Sequence, residues 1–302
     1  MTPLIVRLPN HLGDACMSIA ALDALASNGY ALTLAGRPWI RALFEAYPWR
    51  TVLLQGGRRD HVRTLAEAAK GSRGLLFTNS LSTAIEFRLA GIAATGYARG
   101  GRSPLLSNAV PVDEGDHMVV YYHRLAETLI ERPAPVPLAL DLRVSDGARQ
   151  RLQRALEAAG ASRPYVVLCP VAVGLHHGKV KAWDGFTRLN EDLRSRGHRV
   201  VALPGPGESD EVKRVLPRAT VLPESDVGVF AALLADAQLV VANDSGPGHL
   251  AAAVGAPLVS IFGVTEPEKT RPWGPRVRMV GSGGGWPSYD EVRGAVDEGL
   301  AT

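Results

Sequence analysis

Cysteine is scarce in this chain, with two in 302 residues. Cys16 and Cys169 each lie inside an apolar segment. Two cysteines so placed exclude a disulfide framework and a thiolate zinc site. They read as small buried hydrophobes, suited to a reducing cytoplasm. Long hydrophobic runs are missing as well: nothing approaches the ~20 apolar residues that a membrane-spanning helix needs. The opening MTPLIVRLPN lacks the charged start and long apolar region of a signal peptide, and reads as a first strand. Charge of either sign is not in large excess, 33 basic against 30 acidic side chains for a net +3, a balance that calls for no nucleic-acid partner. Low-complexity tracts and short-period repeats are absent.

What is present is apolar material, 46% of the residues, enough for packed cores. A chain of this length predicts two domains of ~150 residues each. Short apolar runs alternate with amphipathic segments. LIVRL at 4–8 precedes a helical pattern with Ala15, Ile19, Leu22 and Ala26 on one face, stopped by Asn28-Gly29. ALTLA, TVLL and GLLFT follow, and in the second half YVVLCP, RVVALPG, ATVLP, QLVVAND and LVSIFG, with helices expected from Asp184 to Arg196, after Glu208, from Asp226 and from Pro247. Strands alternating with helices imply βαβ units and parallel sheets covered on both faces. The fold class is therefore α/β. The proline-rich ERPAPVPLALDLRV at 131–144 is the expected hinge, giving a first domain over 1–143 and a second over 144–302. Ligands of such sheets bind where strands end and helices begin.

Three strand ends concentrate polar residues. In RLPNHLGDACMS, Asp14 stands at the first helical turn, as a helix cap or as a general base. In CPVAVGLHHGKVKAWDGF, Lys179 and Lys181 lie between a strand and a helix, where phosphate is favoured. This is not a P-loop, because Gly174 and Gly178 are one residue too close and Val180 follows the lysine. His176-His177, without a nearby acidic partner, read as loop residues and not as metal ligands. In VVANDSGPGHL, Asn243, Asp244, Ser245 and Gly246 end an apolar run just where a helix starts. The backbone N–H groups from Ser245 to His249 would be free to cradle a diphosphate. Between these, GPGESD and GSGGGW are incomplete glycine fingerprints, and Glu208 reads either as a cap or as an acceptor for ribose hydroxyls. No Asp-x-Asp pair occurs in the sequence, so a diphosphate bridged to carboxylates by a divalent ion is disfavoured. No metal and no other cofactor are expected.

These residues in this order resemble glycosyltransferase family 9, the ADP-heptose:lipopolysaccharide heptosyltransferases. NDSGPGHLAAAVGAPLVSIFGVTEPEKTRPWGP is similar to the family's C-terminal signature, RLPNHLGDACMSIAALDAL to its N-terminal G-D-x-x-x-(T/S) segment, and KAWDGFTRLNEDL to its K-x-W-P-x-x-x-F segment, with Asp184 in place of the proline. The resemblance implies a GT-B fold, two Rossmann-like doubly wound domains facing a central cleft, with acceptor bound by the first and donor by the second. It implies inverting sugar transfer without a metal. It makes Asp14 the catalytic base, Lys181 the contact to the donor diphosphate, Glu208 the acidic residue near the ribose, and Asp244, Ser245, Gly246 and His249 the rest of the donor site.

The expected donor is a nucleotide-diphosphate sugar, ADP-heptose above others. The expected acceptor is an anionic saccharide or glycolipid of the lipopolysaccharide core, with Arg58, Arg59 and Arg63 as its candidate contacts. A lipid-linked acceptor implies a cytoplasmic monomer in peripheral contact with the inner membrane. Two other readings stand beside this one. A GT-B-like nucleotide-sugar epimerase would turn over without acceptor. A nucleotide-sugar-binding protein without catalysis would have no use for Asp14 and Lys181.

Overall fold

β1 (Thr2–Arg7) buries its last four residues without interruption, as a central strand of a parallel sheet covered on both faces must. In the computed structural model, which describes residues 1–172, 175–176, 179–180, 182–264, 267–282 and 284–301, the chain divides into two compact units, Met1–Pro137 and Leu138–Thr302. The division falls inside the proline-rich stretch, ahead of the 143/144 boundary expected from the sequence.

In the first unit β1 is joined by β2 (Tyr30–Gly36), β3 (Arg50–Leu53), β4 (Arg73–Leu76), β5 (Ala94–Tyr97) and β6 (Asn108–Val110). All pair in parallel, in the order β3-β2-β1-β4-β5-β6. The helices are α1 (Leu12–Met17), α2 (Ile19–Ser27), the short α3 (Ile40–Leu43), α4 (Arg58–Ala68), α5 (Leu81–Leu89) and α6 (Met118–Ile130). Where the sequence predicts one helix, α1 and α2 are distinct. At Ser18 the hydroxyl donates to the Ala15 carbonyl at 2.8 Å, the side-chain-to-backbone competition that interrupts helices. Ser80 caps α5. Ile5, Val52, Leu54, Leu65, Leu76, Phe87 and Ile92 form the core on one face of this sheet.

The second unit opens with α7 (Asp146–Ala158), capped by Ser145, and β7 (Val166–Cys169). A two-stranded hairpin, β8 (Leu175–His176) and β9 (Lys179–Val180), precedes α8 (Phe186–Ser195), and β10 (Val200–Ala202), α9 (Ser209–Val215) and β11 (Thr220–Val221) follow. The chain then crosses back through α10 (Val227–Ala235) to β12 (Leu239–Asn243), α11 (Gly246–Ala253), β13 (Leu258–Ile261), α12 (Pro267–Thr270), β14 (Val277–Val280) and α13 (Tyr289–Leu300). The parallel sheet runs β11-β10-β7-β12-β13-β14. This order repeats that of the first unit. Each unit is a Rossmann-like doubly wound sheet, and its strand order reverses between two neighbours, β1 and β4 in one, β7 and β12 in the other. That reversal is where such sheets leave a crevice for ligands.

Candidate functional site

In the first unit the residue after the crossover strand is decisive. β1 leads through Pro9–His11 into α1, and Asp14 is the third residue of that helix. Its carboxylate caps nothing: the α1 N-cap is His11, and it makes no side-chain capping bond. The capping alternative is thereby corrected, because the carboxylate turns away from the helix amides toward Tyr122 of α6, whose hydroxyl donates to Asp14 Oδ1 at 3.4 Å. Burial raises the Asp14 pKa from its ordinary value, against the smaller lowering effects of His11 and of the Tyr122 hydrogen bond. A carboxylate weakened as an acid is strengthened as a base.

Tyr122 is itself held. Its ring packs against Phe77 at 5.1 Å and edge-on against Tyr121 at 5.6 Å. Tyr121 exchanges hydrogen bonds with Asn79. Arg102, fully buried, donates to the Tyr97 carbonyl, the Thr78 carbonyl and Asn79 Oδ1. Arg102 is thus an internal tie between the ends of β4 and β5. Neither Tyr122 nor this tie is foreseeable from local pattern, since the partners come from segments far apart in the chain. Replacing Tyr122 by Phe removes a bond that lowers the Asp14 pKa, so the acidic limb of the kcat/KM profile is expected to move to higher pH. A Tyr122→Phe enzyme with an unmoved limb would show that the hydroxyl does not act on Asp14.

A cavity of about 460 Å³ opens at the C-terminal ends of β1–β4, lined among others by Arg7, Arg37, His61 and Glu86. Arg58, Arg59 and Arg63 do not line it. They lie exposed at the start of α4, and Arg63 pairs with Asp60 at 3.4 Å, an exposed pair of small energetic weight.

In the second unit β12 ends at Asn243, and Asp244 and Ser245 lead into α11. Asn243 is fully buried, its Nδ2 donating to the Pro170 carbonyl at 2.8 Å and its Oδ1 accepting from the Trp183 amide at 3.0 Å. It clamps the segments after β7 and before α8 to the end of β12. Asp244 and His249 are buried. The free donors of the α11 terminus are fewer than the sequence suggests. Pro247 has none, and the Gly248 and His249 amides both turn onto the Ser245 carbonyl. The amides that this turn leaves without a hydrogen-bond acceptor are those of Ser245 and Gly246.

Glu208 precedes α9 beyond the end of β10. Its Oε2 accepts from the Gly205 amide at 3.0 Å, and a Cβ at position 205 would lie 2.9 Å from that oxygen. Glu208 stands at the N-cap position of α9, but its side chain makes no capping bond to that helix; the bond to Gly205 closes the preceding loop instead and leaves the second carboxylate oxygen unbonded. Glu224, which the sequence does not single out, accepts from the Gly207 amide and the Ser209 hydroxyl, each at 3.0 Å. Because β10, β7 and β12 are neighbours, the segments that carry Glu208, Pro170 and Asp244 leave the C-terminal ends of adjacent strands.

Lys181 and His177 lie outside the described residues. The flank of Lys181 is fixed all the same. Trp183 is buried, its indole donates to the Pro287 carbonyl at 3.1 Å, and its ring meets Phe186 edge-on at 5.5 Å. A Cβ on Gly185 would sit 2.1 Å from that ring, which explains the glycine. Among the described residues no group of three or more His, Cys, Asp or Glu could hold a metal ion. Trp286, the last residue of GSGGGW, packs closely on Gly263, where a Cβ would lie 2.2 Å from its ring.

The family model described as "Glycosyltransferase family 9 (heptosyltransferase)" matches residues 58–298. The chain belongs to glycosyltransferase family 9. It is therefore a glycosyltransferase enzyme. The match covers the Asp244–His249 signature and Glu208, while Asp14 precedes it. The chain is 35% identical over 134 residues to lipopolysaccharide heptosyltransferase 3 of Escherichia coli, spanning 41% of this chain and 38% of that protein, so it matches well under half of that relative's length. It is 25% identical over 310 residues to lipooligosaccharide heptosyltransferase 2 of Haemophilus influenzae, spanning 92% of this chain and 88% of that one. Among solved structures it is similar to the ADP-heptose lps heptosyltransferase II of E. coli, with a TM-score of 0.81, 24% identity, and coverage of 100% of this chain and 98% of that one. This likeness shows the GT-B fold that family 9 members share.

Proposed function

We propose that this family 9 enzyme transfers heptose from ADP-heptose, with inversion and without a bound metal, to a saccharide of the lipopolysaccharide core or a related acceptor. The observation that supports the reading is the C-terminal end of the second sheet, where Asp244 and the Ser245–Gly246 amides follow β12 at the reversal of strand order and the loop holding Glu208 follows β10, on the other side of β7. The heptosyltransferases to which the chain is similar suggest the sugar, the nucleotide and the acceptor class.

In this reading Asp14 accepts the proton of an acceptor hydroxyl as its oxygen attacks the anomeric carbon from the face opposite the diphosphate. The bond from that carbon to the diphosphate oxygen breaks, and ADP leaves with the electron pair. The Ser245 and Gly246 amides and Lys181 stabilise the charge that grows on the diphosphate. Glu208 holds ribose hydroxyls through its free oxygen, and Asp244 and His249 complete the donor site. The first unit, taken to 143 as the sequence suggests, binds acceptor, and the remainder binds donor. Arg58, Arg59 and Arg63 remain candidates for the anionic acceptor.

The test is a comparison of two variants. Glu208→Ala is expected mainly to raise the donor KM, since ribose contacts act equally in ground and transition states. Lys181→Ala is expected to lower kcat as well, because its partner gains charge during transfer. Both measurements belong in EDTA and again in magnesium. Equal, small effects from the two variants, or activity that needs the metal, would overturn the assignment.

Among the described residues no helix is long and apolar enough to cross a membrane. We place the enzyme in the cytoplasm as a monomer in peripheral contact with the inner membrane through exposed cations such as Arg58 and Arg59. Its binding to anionic vesicles is then expected to fall with salt, as exposed charges are screened beyond ~8 Å at physiological ionic strength. Salt-insensitive association would count against this placement.

A further inference from the structure

We propose that Trp286 contacts the sugar of the donor, its indole N–H donating to a sugar hydroxyl and its ring packing against the sugar's C–H groups. Such a contact rests on the donor reading given above and adds to it a residue for the group that is transferred. The order of the strand ends places that group. Along the second sheet the neighbours run β10, β7, β12, β13, with about 4.8 Å between adjacent strands. The loop holding Glu208 follows β10 and the Ser245–Gly246 amides follow β12, so ribose and diphosphate lie two strands apart, ~10 Å. A donor laid out in that direction carries its sugar past β12 and over the end of β13.

Trp286 stands at that end. β12 and β13 pair in register as far as Asn243 and Ile261, and the Asp244 amide still donates to the Ile261 carbonyl at 2.9 Å. Gly263, two residues beyond Ile261, is therefore level with Ser245, which is itself extended. A Cβ on Gly263 would meet Cδ2, Cε3 and Cε2 of Trp286 at 2.2, 2.4 and 2.6 Å. These atoms are the fused middle of the indole, so one face of the ring covers the glycine at the strand end. The segment that presents the ring is fixed on both sides. Gly281 has a φ of +84°, and a Cβ there would lie 2.2 Å from the Phe262 carbonyl oxygen. Pro287 is buried, and its carbonyl accepts the Trp183 indole at 3.1 Å. A side chain held in this way has little freedom left to lose when a ligand binds.

Packing accounts for a flat ring on Gly263, but a phenylalanine would pack there without a polar atom. Tryptophan adds an N–H, a donor only, which ordinarily finds a partner when it is shielded from water. The Trp286 N–H makes no hydrogen bond among the described residues. It is also not one of the buried polar atoms left unpaired, and the residue is only partly buried, so the donor is open to a ligand. A sugar answers both features of the side chain, with C–H groups for the ring and hydroxyl oxygens for the N–H.

The experiment is calorimetric titration of the full chain with ADP and with ADP-heptose, in the original protein and in Trp286→Phe. That change keeps an aromatic ring on Gly263 and removes the N–H. ADP affinity is expected to stay the same, while ADP-heptose affinity falls roughly two- to tenfold, the range for one net hydrogen bond. Trp286→Leu, which removes the ring as well, is expected to weaken ADP-heptose at least as much, again without touching ADP; if it fails to fold, Trp286→Phe decides alone. An ADP-heptose affinity that Trp286→Phe leaves unchanged overturns the proposal. So does a loss of ADP affinity by the same factor, which would make Trp286 a packing residue of the strand end. In either case an original protein that binds both ligands keeps the donor reading intact. An original protein that binds neither overturns the donor reading and this contact with it.

Discussion

Asp14→Asn is expected to lower kcat by ~100- to 10,000-fold, the usual contribution of a positioned general base, while donor affinity and folding are retained. The structure gives this its sign on stability. Burial raises the Asp14 pKa, so the folded state favours the protonated carboxyl. The stabilisation tied to that proton is present at low pH and is lost as pH rises through the raised folded value. At neutral pH the ionised carboxylate is therefore a cost of folding, and an uncharged amide of the same shape should hold the melting temperature or raise it. Activity has the opposite demand, since the base must be ionised, and kcat/KM should fall on the acidic side at a pH above the ordinary carboxylate range. Thermal unfolding and steady-state rates on the same preparation check both halves. An Asn variant that unfolds more easily yet turns over normally would return Asp14 to a structural role.

Trp183→Ala is expected to destabilise the second unit by about 3–5 kcal/mol, the range for truncating a large buried aromatic. It also removes the indole bond to the Pro287 carbonyl and loosens the backbone whose amide meets Asn243. Donor affinity should fall with stability, because the same clamp ties the segments after β7 and before α8 to the end of β12, which leads into α11. Chemical denaturation with parallel ADP titration separates the two. A loss of stability with ADP binding intact in the folded fraction would mean that the clamp serves the core alone.

The doubly wound architecture is legible in the sequence because central parallel strands are buried on both faces and show as unbroken apolar runs, such as Leu239–Ala242. The interruption at Ser18 is not, since it depends on one hydroxyl choosing a carbonyl over solvent. Asp14, Glu208 and Asp244 are legible as polar residues at strand ends. Their surroundings are not. Tyr122 reaches Asp14 from a helix more than a hundred positions away in sequence, and Asn243, which reads as part of an anion site, spends both ends of its amide joining backbone segments. The burial of Arg102 is hidden for a different reason: arginine is so rarely buried that a surface position is the sound expectation, and only its carbonyl partners reveal the exception. The cavity around Arg7 is hidden in the same way, because its walls come from the ends of four strands.

The two cysteines, so unassuming in the sequence, leave the enzyme chemically quiet. Both are buried, and burial raises the Cys16 thiol and pushes that of Cys169 up to about 12. At neutral pH neither carries an appreciable thiolate, the form that attacks alkylating reagents and disulfides. A single cysteine introduced at an exposed position such as Arg37 or Arg58 would then be the one nucleophilic sulfur in the chain, and a reporter group attached there would announce ligand binding to its own unit without background from the native pair.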